Sequence, residues 1–276
     1  MAPDVLLVGC GDLGSRIGLR LAEQGHRVLA LRRRADLVPP PLQGLSVDLT
    51  RETPEFPSLD LRYLVVALTA RPRTEDVYRA TYVEGMRRAL DAVEATGQRP
   101  DRAVLVSSTG VHGDVPDGIL VDEDLPPSPA DGPARVLLEA EQLFAGRVPG
   151  GTVLRCSGLY DGEGGRLVAK VRSGEVGDPD RWTNRIHRDD AAAAVVHLLT
   201  RPDPPEPVYL GTDDEPALMG DVAAHLAHRL GAPAPPPADR ARAHGKRISN
   251  VRLRATGWVP AYPTYREGYA ASLTDR

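Results

Sequence analysis

The stretch Val5-Leu6-Leu7-Val8-Gly9-Cys10-Gly11-Asp12-Leu13-Gly14 decides the fold of this chain. Four apolar residues, of the kind that build a strand buried on both faces, run directly into the pattern Gly-x-Gly-x-x-Gly. A helical pattern over 15–24 and a second apolar run over 26–31 follow, and together they predict a β-α-β unit. In such a unit Gly9 makes the tight turn, Gly11 lets a pyrophosphate approach the backbone, and Gly14 lets the helix pack against the strand. Because the N-terminus of that helix presents free N–H groups, the stretch predicts a dinucleotide-binding site.

The end of the second apolar run indicates which dinucleotide is preferred. Chains that prefer NAD usually carry Asp or Glu there, which bonds the ribose 2′-hydroxyl, whereas this chain carries Arg32-Arg33-Arg34. Arginine cannot accept that hydrogen bond, but it pairs well with a 2′-phosphate. We therefore expect Arg32 and Arg33 to bind the phosphate of NADP, with NAD as the less favoured cofactor. A solvated basic turn in an arginine-rich chain is the alternative interpretation.

Composition narrows the class of protein further. A chain of 276 residues can bury a full core as one large domain or as a domain with an added lobe. The net charge of −4 favours neither nucleic acid nor a membrane surface as a partner. Cys10 and Cys156 are too few for a disulfide framework, and no run is long enough for a membrane span. Leu7-Val8-Gly9-Cys10 matches a lipoprotein cleavage box only superficially, so we expect a cytoplasmic protein.

Apolar strand patterns alternate with helical patterns along the chain, which predicts an α/β Rossmann fold with a doubly wound parallel sheet. Further strands are predicted over 42–49, 61–68, 103–106, 151–155 and 208–210, and further helices over 74–96, 134–144, 189–199 and 220–230. The pattern becomes irregular after residue 210. We expect a dinucleotide-binding domain over 1–158, to which 186–210 returns, and a smaller substrate-binding lobe over 159–276 at the carboxyl ends of the strands.

Several short motifs, in order, resemble the extended and atypical short-chain dehydrogenase/reductases, the superfamily of nucleotide-sugar epimerases and dehydratases. They are the glycine motif, Asp48-Leu49, Ala67-Leu68-Thr69, Ser107-Ser108-Thr109-Gly110-Val111-His112-Gly113, Leu154-Arg155-Cys156-Ser157-Gly158-Leu159-Tyr160 and Ile186-His187-Arg188-Asp189-Asp190. The tail segments Gly245-Lys246-Arg247-Ile248-Ser249-Asn250 and Tyr262-Pro263-Thr264-Tyr265 are most similar to the atypical YeeZ-like subgroup. The resemblance implies cofactor contacts, beyond the two arginines, from Gly9, Gly11, Asp12, Leu13, Gly14, Asp48, Leu49, Ala67, Leu68, Thr69, Ser107 and Ser157.

The chain departs from that family at its usual catalytic pair. The family's chemistry uses a Tyr as proton donor or acceptor and a Lys four residues later on the same helix face. Alignment on Glu141 puts Pro133 at the Tyr position and Leu137 at the Lys position. No Tyr-x-x-x-Lys occurs anywhere in the sequence, because Arg166 and Arg242 stand four residues before its only two lysines.

Three residues are candidates to replace the missing pair. Thr109 follows a predicted strand, where its hydroxyl could bond a substrate carbonyl, although a capping threonine is the alternative. His112 could titrate near neutral pH, although a surface-loop histidine is the alternative. Tyr160 follows the nicotinamide-side segment and could donate a proton, although packing between the lobes is equally consistent.

Substrate contacts are expected from four further residues, and three of them have a structural role as the alternative. Arg135 cannot act as a base, so at most it binds phosphate or carboxylate. Arg247 and Asn250 either line the substrate site or form a loop, and His187 either binds substrate or holds the lobes together.

Two functions follow: an NADP-dependent oxidoreductase or epimerase with an unusual proton donor, or a non-catalytic NADP-binding sensor or scaffold. The expected partners are a small-molecule substrate and a second copy of the chain in a homodimer.

Overall fold

The computed structural model describes residues 2–161 and 165–273, and it confirms the predicted α/β Rossmann architecture. The predicted domain limits also include residues 1, 162–164 and 274–276, which lie outside the described residues. The strands are β1 (Val5–Val8), β2 (Val28–Arg32), β3 (Gln43–Ser46), β4 (Tyr63–Val66), β5 (Arg102–Ser108), β6 (Leu120–Val121), β7 (Thr152–Cys156), β8 (Gly158–Tyr160), β9 (Trp182–Thr183), β10 (Arg185–His187), β11 (Val208–Gly211), β12 (Ala217–Leu218) and β13 (Arg247–Ile248). The α-helices are α1 (Asp12–Glu23), α2 (Glu75–Tyr78), α3 (Met86–Ala95), α4 (Gly132–Arg147), α5 (Arg166–Ser173), α6 (Arg188–Thr200), α7 (Met219–Leu230), α8 (Val251–Ala255) and α9 (Tyr265–Ser272).

Seven strands form the central parallel sheet in the order β11-β7-β5-β4-β1-β2-β3. The register pairs Val5 with both Val28 and Tyr63, so β1 lies between β2 and β4. All four residues of β1 are buried, as its continuous apolar run predicts for a strand covered on both faces. The strand order reverses between β1 and β4. In open α/β sheets the crevice at that point, beyond the carboxyl ends of the strands, is where ligands bind.

The helices follow their local sequence signals, with differences at α4 and in the helix predicted over 74–96. Helix α4 begins before the predicted residue 134, because Asp131 caps it by accepting a hydrogen bond from the Ala134 N–H at 2.8 Å and Pro133 fits the first turn. The helix predicted over 74–96 is α2 and α3 joined by a π-helix, Arg79–Gly85. Helices α5, α8 and α9 were not predicted, because their patterns are too short to separate from loops.

The chain divides into two compact units. The first unit comprises the described residues of Met1–Gly113, Pro127–Arg155 and Ala192–Tyr209. The second unit comprises those of Asp114–Pro126, Cys156–Ala191 and Leu210–Arg276. Residues 114–126 fall in the second unit rather than in the predicted dinucleotide-binding domain. The physical reason is strand pairing, since β6 pairs in parallel with β13 of the tail.

Each unit has its own buried apolar cluster. In the first unit, side chains such as Leu6 and Leu64 of the sheet pack with Met86 and Phe144 of the helices. In the second unit, α5, α7 and α9 contribute a smaller cluster that includes Val222. Within the described ranges, no helix combines the length and apolar character that a membrane crossing requires. Nor do three or more His, Cys, Asp or Glu side chains of these residues gather in a way that could hold a metal ion.

Candidate dinucleotide site

The glycine-rich loop joins β1 to α1 in the first unit, and its three glycines have three distinct environments. Gly9 has a φ of +98°, and a Cβ on it would lie 2.6 Å from the carbonyl oxygen of Ala67. A Cβ on Gly14 would lie 2.2 Å from the carbonyl oxygen of Gly9, so any side chain there would force α1 away from the loop. In contrast, apart from Gly11 and its two chain neighbours, no described atom lies within 4 Å of a Cβ on Gly11. The fold therefore requires Gly9 and Gly14, whereas it leaves open space in front of Gly11.

Gly11 also lines a cavity of about 830 Å³ in the first unit. Nine predicted cofactor residues line it: Gly9, Gly11, Arg32, Arg33, Asp48, Leu49, Ala67, Leu68 and Thr69. The other lining residues are Cys10, Leu31, Arg34, Val47, Thr50, Ala70, Arg71, Val77, Ala80 and Thr81. The predicted loop, the end of β2 and the segment after β4 thus converge on one cavity. The N-terminus of α1 begins beside Gly11, where no side chain caps the helix.

Charge in this cavity is strongly positive. Arg32, Arg33, Arg34 and Arg71 line it against a single carboxylate, that of Asp48. Hydrogen bonds from Thr50 hold the pKa of Asp48 below its usual value, with Arg33 contributing further. The Arg32 guanidinium donates to the carbonyl oxygen of Leu37 at 2.9 Å, which orders one end of the cavity. A surplus of guanidinium groups around a cavity favours a ligand with several phosphates.

Sequence reasoning missed Arg71 and Arg34 as cavity residues. Arg34 was visible as the third arginine of its triplet, and Arg71 stands two residues after Thr69. Of the other predicted cofactor residues, Asp12, Leu13 and Gly14 form the first turn of α1, outside the cavity lining. Burial raises the pKa of the Cys10 thiol, so this cavity residue is a small neutral group rather than a nucleophile.

A buried polar network in the first unit contains Ser107, a further predicted cofactor residue. The Ser107 hydroxyl donates to Glu141 Oε1 at 2.5 Å, and Arg155 donates to Glu141 Oε2 through Nη2 at 2.8 Å. Arg155 Nη1 lies 3.2 Å from Nε2 of His112. Because a guanidinium can only donate, His112 accepts through Nε2 and carries its proton on Nδ1.

The surface-loop alternative for His112 is therefore wrong. Its ring has no exposed area, and the 3₁₀-helix Thr109–His112 holds it inside the first unit against Arg155. Thr109 is also buried. Ser108, which the sequence reasoning did not single out, is partly exposed and accepts a hydrogen bond from the Gly110 N–H at 3.1 Å. Because neighbouring strand residues point to opposite faces, Ser108 is directed away from the buried Ser107–Glu141 pair.

The helix that carries the family's Tyr and Lys presents neither group here. Pro133 is buried in the first turn of α4, and Leu137 is buried one turn later. Neither side chain can ionise or donate a hydrogen bond. Arg135 on the same helix is exposed and lies 3.8 Å from Glu75 as a surface ion pair. The first unit thus offers hydroxyls at the end of β5 but no phenol–ammonium pair.

The remaining predicted residues lie in the second unit. Tyr160 is buried, its ring centroid lies 4.7 Å from that of Tyr269, and burial raises its pKa further above the usual phenol value. His187 Nδ1 accepts from the Asp189 N–H at 3.2 Å. The Ser157 hydroxyl bonds that of Thr212 at 3.1 Å.

Two residues of the tail are held by contacts within the second unit. Asn250 Nδ2 donates to the carbonyl oxygen of Thr212 at 3.0 Å and to Asp214 at 2.7 Å. Arg247 donates to the carbonyl oxygen of Gly118 at 2.8 Å. The structure therefore gives Asn250 and Arg247 a structural role, and their predicted substrate contacts stay predictions.

Comparison with solved structures finds this fold over nearly the whole chain. A protein from Methylobacillus flagellatus, described as an NAD-dependent epimerase/dehydratase, is 36% identical with a TM-score of 0.81, covering 99% of this chain and 98% of that one. A conserved protein of unknown function from Silicibacter pomeroyi is 30% identical with a TM-score of 0.74, covering 97% and 96%. The UDP-glucose 4-epimerase of Thermus thermophilus, solved with NAD, is 21% identical with a TM-score of 0.76, covering 98% and 97%.

Neither a protein-family model nor a curated protein matches the sequence. The 36% identity over the full length nevertheless shows the relationship, and the chain belongs to the NAD-dependent epimerase/dehydratase family of the short-chain dehydrogenase/reductase superfamily. The YeeZ-like subgroup stays a prediction, since it rests on the tail motifs alone.

Proposed function

We propose that this protein is an NADP-dependent oxidoreductase or epimerase that acts on a carbonyl or hydroxyl group of a small or nucleotide-linked substrate. One observation carries the proposal: a single cavity joins the glycine loop, with its open space at Gly11, to four arginines. A dinucleotide with an additional phosphate matches both the opening and the charge of that cavity.

Each part of the cavity has a proposed part in binding. The backbone at Gly11 and the first N–H groups of α1 would hold the pyrophosphate, and Arg32 and Arg33 would hold the 2′-phosphate. Asp48 and Leu49 would contact the adenine, as the resemblance to the family implies. The nicotinamide of a bound dinucleotide supplies hydride transfer. The protein's own residues then orient substrate and manage the proton.

Proton transfer must use residues other than the family's pair, because Pro133 and Leu137 occupy its positions. Among the predicted residues, Thr109 anchors the substrate oxygen, with His112 or Tyr160 as proton donor. The structure adds Ser108, whose hydroxyl accepts from Gly110 and therefore keeps its own proton available for donation. Its partial exposure at the end of β5 favours Ser108 over the buried Thr109 as the first hydroxyl to contact a substrate.

The second candidate function is a non-catalytic NADP-binding sensor or scaffold. One observation favours it: α4 carries no ionisable group at either family position, and His112 is enclosed by its contact with Arg155. We propose that the second unit binds the substrate, or the partner in the sensor case. The cytoplasmic location and the homodimer stay predictions.

Two measurements separate the candidates. Equilibrium titration with NADPH establishes binding, and absorbance at the reduced-nicotinamide band then follows turnover with a panel of ketones, aldehydes and nucleotide sugars. An oxidoreductase binds NADPH and consumes it with at least one substrate class. An epimerase returns the hydride to its substrate, so it leaves the dinucleotide unchanged overall and converts a nucleotide sugar to its epimer, which NMR of the sugar detects. A sensor binds NADPH equally well, consumes none and converts no sugar. If neither NADPH nor NADP binds, both candidate functions are wrong.

A further inference from the structure

The dinucleotide cavity of the first unit contains an arginine to which the proposed contacts give no part. Arg71 lines the cavity after the end of β4, whereas the arginine triplet (32–34) lies at the end of β2. Among residues 2–161 and 165–273, the Arg71 guanidinium has no hydrogen-bond or ion-pair partner. An exposed arginine without a partner is ordinary on a protein surface, so its position in the cavity decides what it can bind.

The order of the strands places Arg71 and the arginine triplet on opposite sides of the glycine loop, because β1 lies between β2 and β4. On the β2 side, the Gly9 N–H donates to the carbonyl oxygen of Leu31 at 3.3 Å. On the β4 side, a Cβ on Gly9 would lie 2.6 Å from the carbonyl oxygen of Ala67. Arg71 follows Ala67 by four residues. An anion bound at the loop therefore has the triplet on one side and Arg71 on the other.

The backbone that carries Arg71 is held at both ends. Before Arg71, the Ala67 N–H donates to the carbonyl oxygen of Val8 at 2.8 Å, which ties the segment to β1. After Arg71, Thr74 is the N-cap of α2, and its carbonyl oxygen accepts from the Tyr78 N–H at 3.0 Å. Because the backbone is already ordered, a ligand that binds Arg71 has to order only the side chain.

The carboxylate of the cavity does not neutralise Arg71. Asp48 supplies the single carboxylate among the described residues that line the cavity. Its Oδ1 accepts from the Thr50 N–H at 3.1 Å and from the Thr50 hydroxyl at 2.7 Å. Its Oδ2 lies 3.8 Å from Nε of Arg51. The positive charge of Arg71 is therefore available to a ligand.

The diphosphate is the group of a dinucleotide that needs this charge. It carries a negative charge on each phosphate, whereas the N-terminus of α1 supplies only about half of one positive charge. The glycine loop adds N–H groups but no full charge. A 2′-phosphate, in contrast, already meets the guanidinium groups of the triplet on the β2 side. The unmatched negative charge lies at the loop, on the side of the cavity where Arg71 stands.

We propose that Arg71 binds the diphosphate of the dinucleotide from the β4 side of the glycine loop. This inference rests on the proposed dinucleotide function of the cavity. It makes Arg71 a binding residue for NAD and NADP alike, because both carry the same diphosphate. The choice between the two dinucleotides is left to the triplet.

The test is calorimetric titration of NADP and of NAD into the full chain and its variants. Arg71→Gln removes the charge at an exposed position, so the core stays intact, and both affinities should fall about ten-fold with their ratio unchanged. Arg33→Gln should weaken the binding of NADP alone. Arg73→Gln is the matched control, because Arg73 lies two residues further on and pairs with Asp131 outside the cavity lining. It should leave both affinities unchanged.

The dependence on salt separates a charge effect from a structural one. Because salt screens exposed charges, the loss of NAD affinity caused by Arg71→Gln should shrink when NaCl is raised from about 0.05 M to about 0.5 M. A loss that does not change with salt would overturn the proposal, since charge would not be its cause. So would a loss confined to NADP, which would place Arg71 at the 2′-phosphate.

The same titrations distinguish failure of this inference from failure of the proposed function. If the parent binds both dinucleotides and Arg71→Gln binds them equally well, the proposal for Arg71 is wrong and the dinucleotide site stands. If the parent binds neither dinucleotide, the proposed function is wrong and the proposal for Arg71 falls with it.

Discussion

Adding one methyl group at Gly11 should separate dinucleotide binding from folding. Gly11 is the N-cap of α1 with a φ of −79°, a conformation that alanine adopts without strain. Apart from Gly11 and its chain neighbours, no described atom lies within 4 Å of the added Cβ, and Gly11 lines the cavity. We therefore expect Gly11→Ala to fold normally, with a stability cost of at most about 1 kcal/mol from the weaker cap.

The cost to binding should be much larger. A pyrophosphate that contacts the backbone at Gly11 would be displaced by the methyl group and would lose its charge-assisted hydrogen bonds to the first N–H groups of α1. Two such bonds at about 1.5–3 kcal/mol each give a loss of roughly 3–6 kcal/mol, or about 10²- to 10⁴-fold in affinity. Gly11→Val should remove binding altogether. Calorimetric titration with NADP measures the affinity, and thermal unfolding without ligand measures the stability.

Two variants serve as controls for this prediction. Gly146→Ala also adds a Cβ to open space, near the end of α4 and outside the cavity, so it should leave NADP affinity unchanged. Gly14→Ala should destabilise the protein, because its Cβ would lie 2.2 Å from the Gly9 carbonyl oxygen. NADP affinity that is equal in the parent and in Gly11→Val would refute the placement of the pyrophosphate.

Three further predictions address the buried groups and the hydroxyls. Glu141→Gln leaves the Arg155 charge without its buried partner, so it should lower the free energy of unfolding, measured in urea, by about 3–5 kcal/mol. Glu139→Gln, on the same helix in a half-exposed pair with Arg79, should lower it by less than about 1 kcal/mol, and equal effects of the two variants would contradict the buried network. Burial raises the pKa of Asp213 to about 8, above an unfolded value of about 3.9, so the parent loses stability as pH rises between these values. The free energy of unfolding of Asp213→Asn, relative to that of the parent, should therefore increase from pH 4 to pH 8 and stay constant above pH 8. A difference that does not change with pH would contradict the raised pKa. If NADPH is consumed, Ser108→Ala or Thr109→Val should lower kcat on the order of 10²-fold. Steady-state turnover at the parent's rate in both variants, and also in His112→Phe and Tyr160→Phe, would exclude all four residues from the proton path.

The sequence was sufficient for the parts of the fold that local pattern determines. The run from Val5 to Gly14 specifies a buried strand, a tight turn and a helix start, and each lies where that pattern predicts. The convergence of Asp48 and Thr69 on one cavity also follows, because both come after strands whose carboxyl ends meet at one edge of the sheet.

Other features depend on contacts between distant residues and were not predictable in this way. Arg71 reaches the cavity only because β4 lies beside β1, and arginine is too frequent in this chain for composition to single it out. His112 is enclosed by Arg155, 43 residues away, so its burial carries no local signal. The sequence also suggested Thr109 as the residue that contacts the substrate oxygen, because burial at the end of β5 carries no local signal. In the structure Thr109 is buried and Ser108 is partly exposed, which favours Ser108 for this contact.

The preference between NADP and NAD tests the central claim most directly. Calorimetric titration of both dinucleotides should be made with the parent, with Arg32→Ala/Arg33→Ala, and with Arg99→Ala as an exposed arginine outside the cavity. Two charge-assisted contacts to a 2′-phosphate, weakened by solvent because Arg33 is exposed, predict NADP binding tighter than NAD binding by about 2–4 kcal/mol in the parent and in Arg99→Ala. The double variant should bind the two dinucleotides equally. Equal or tighter NAD binding by the parent, or a preference for NADP that survives in the double variant, would contradict the assignment of this cavity.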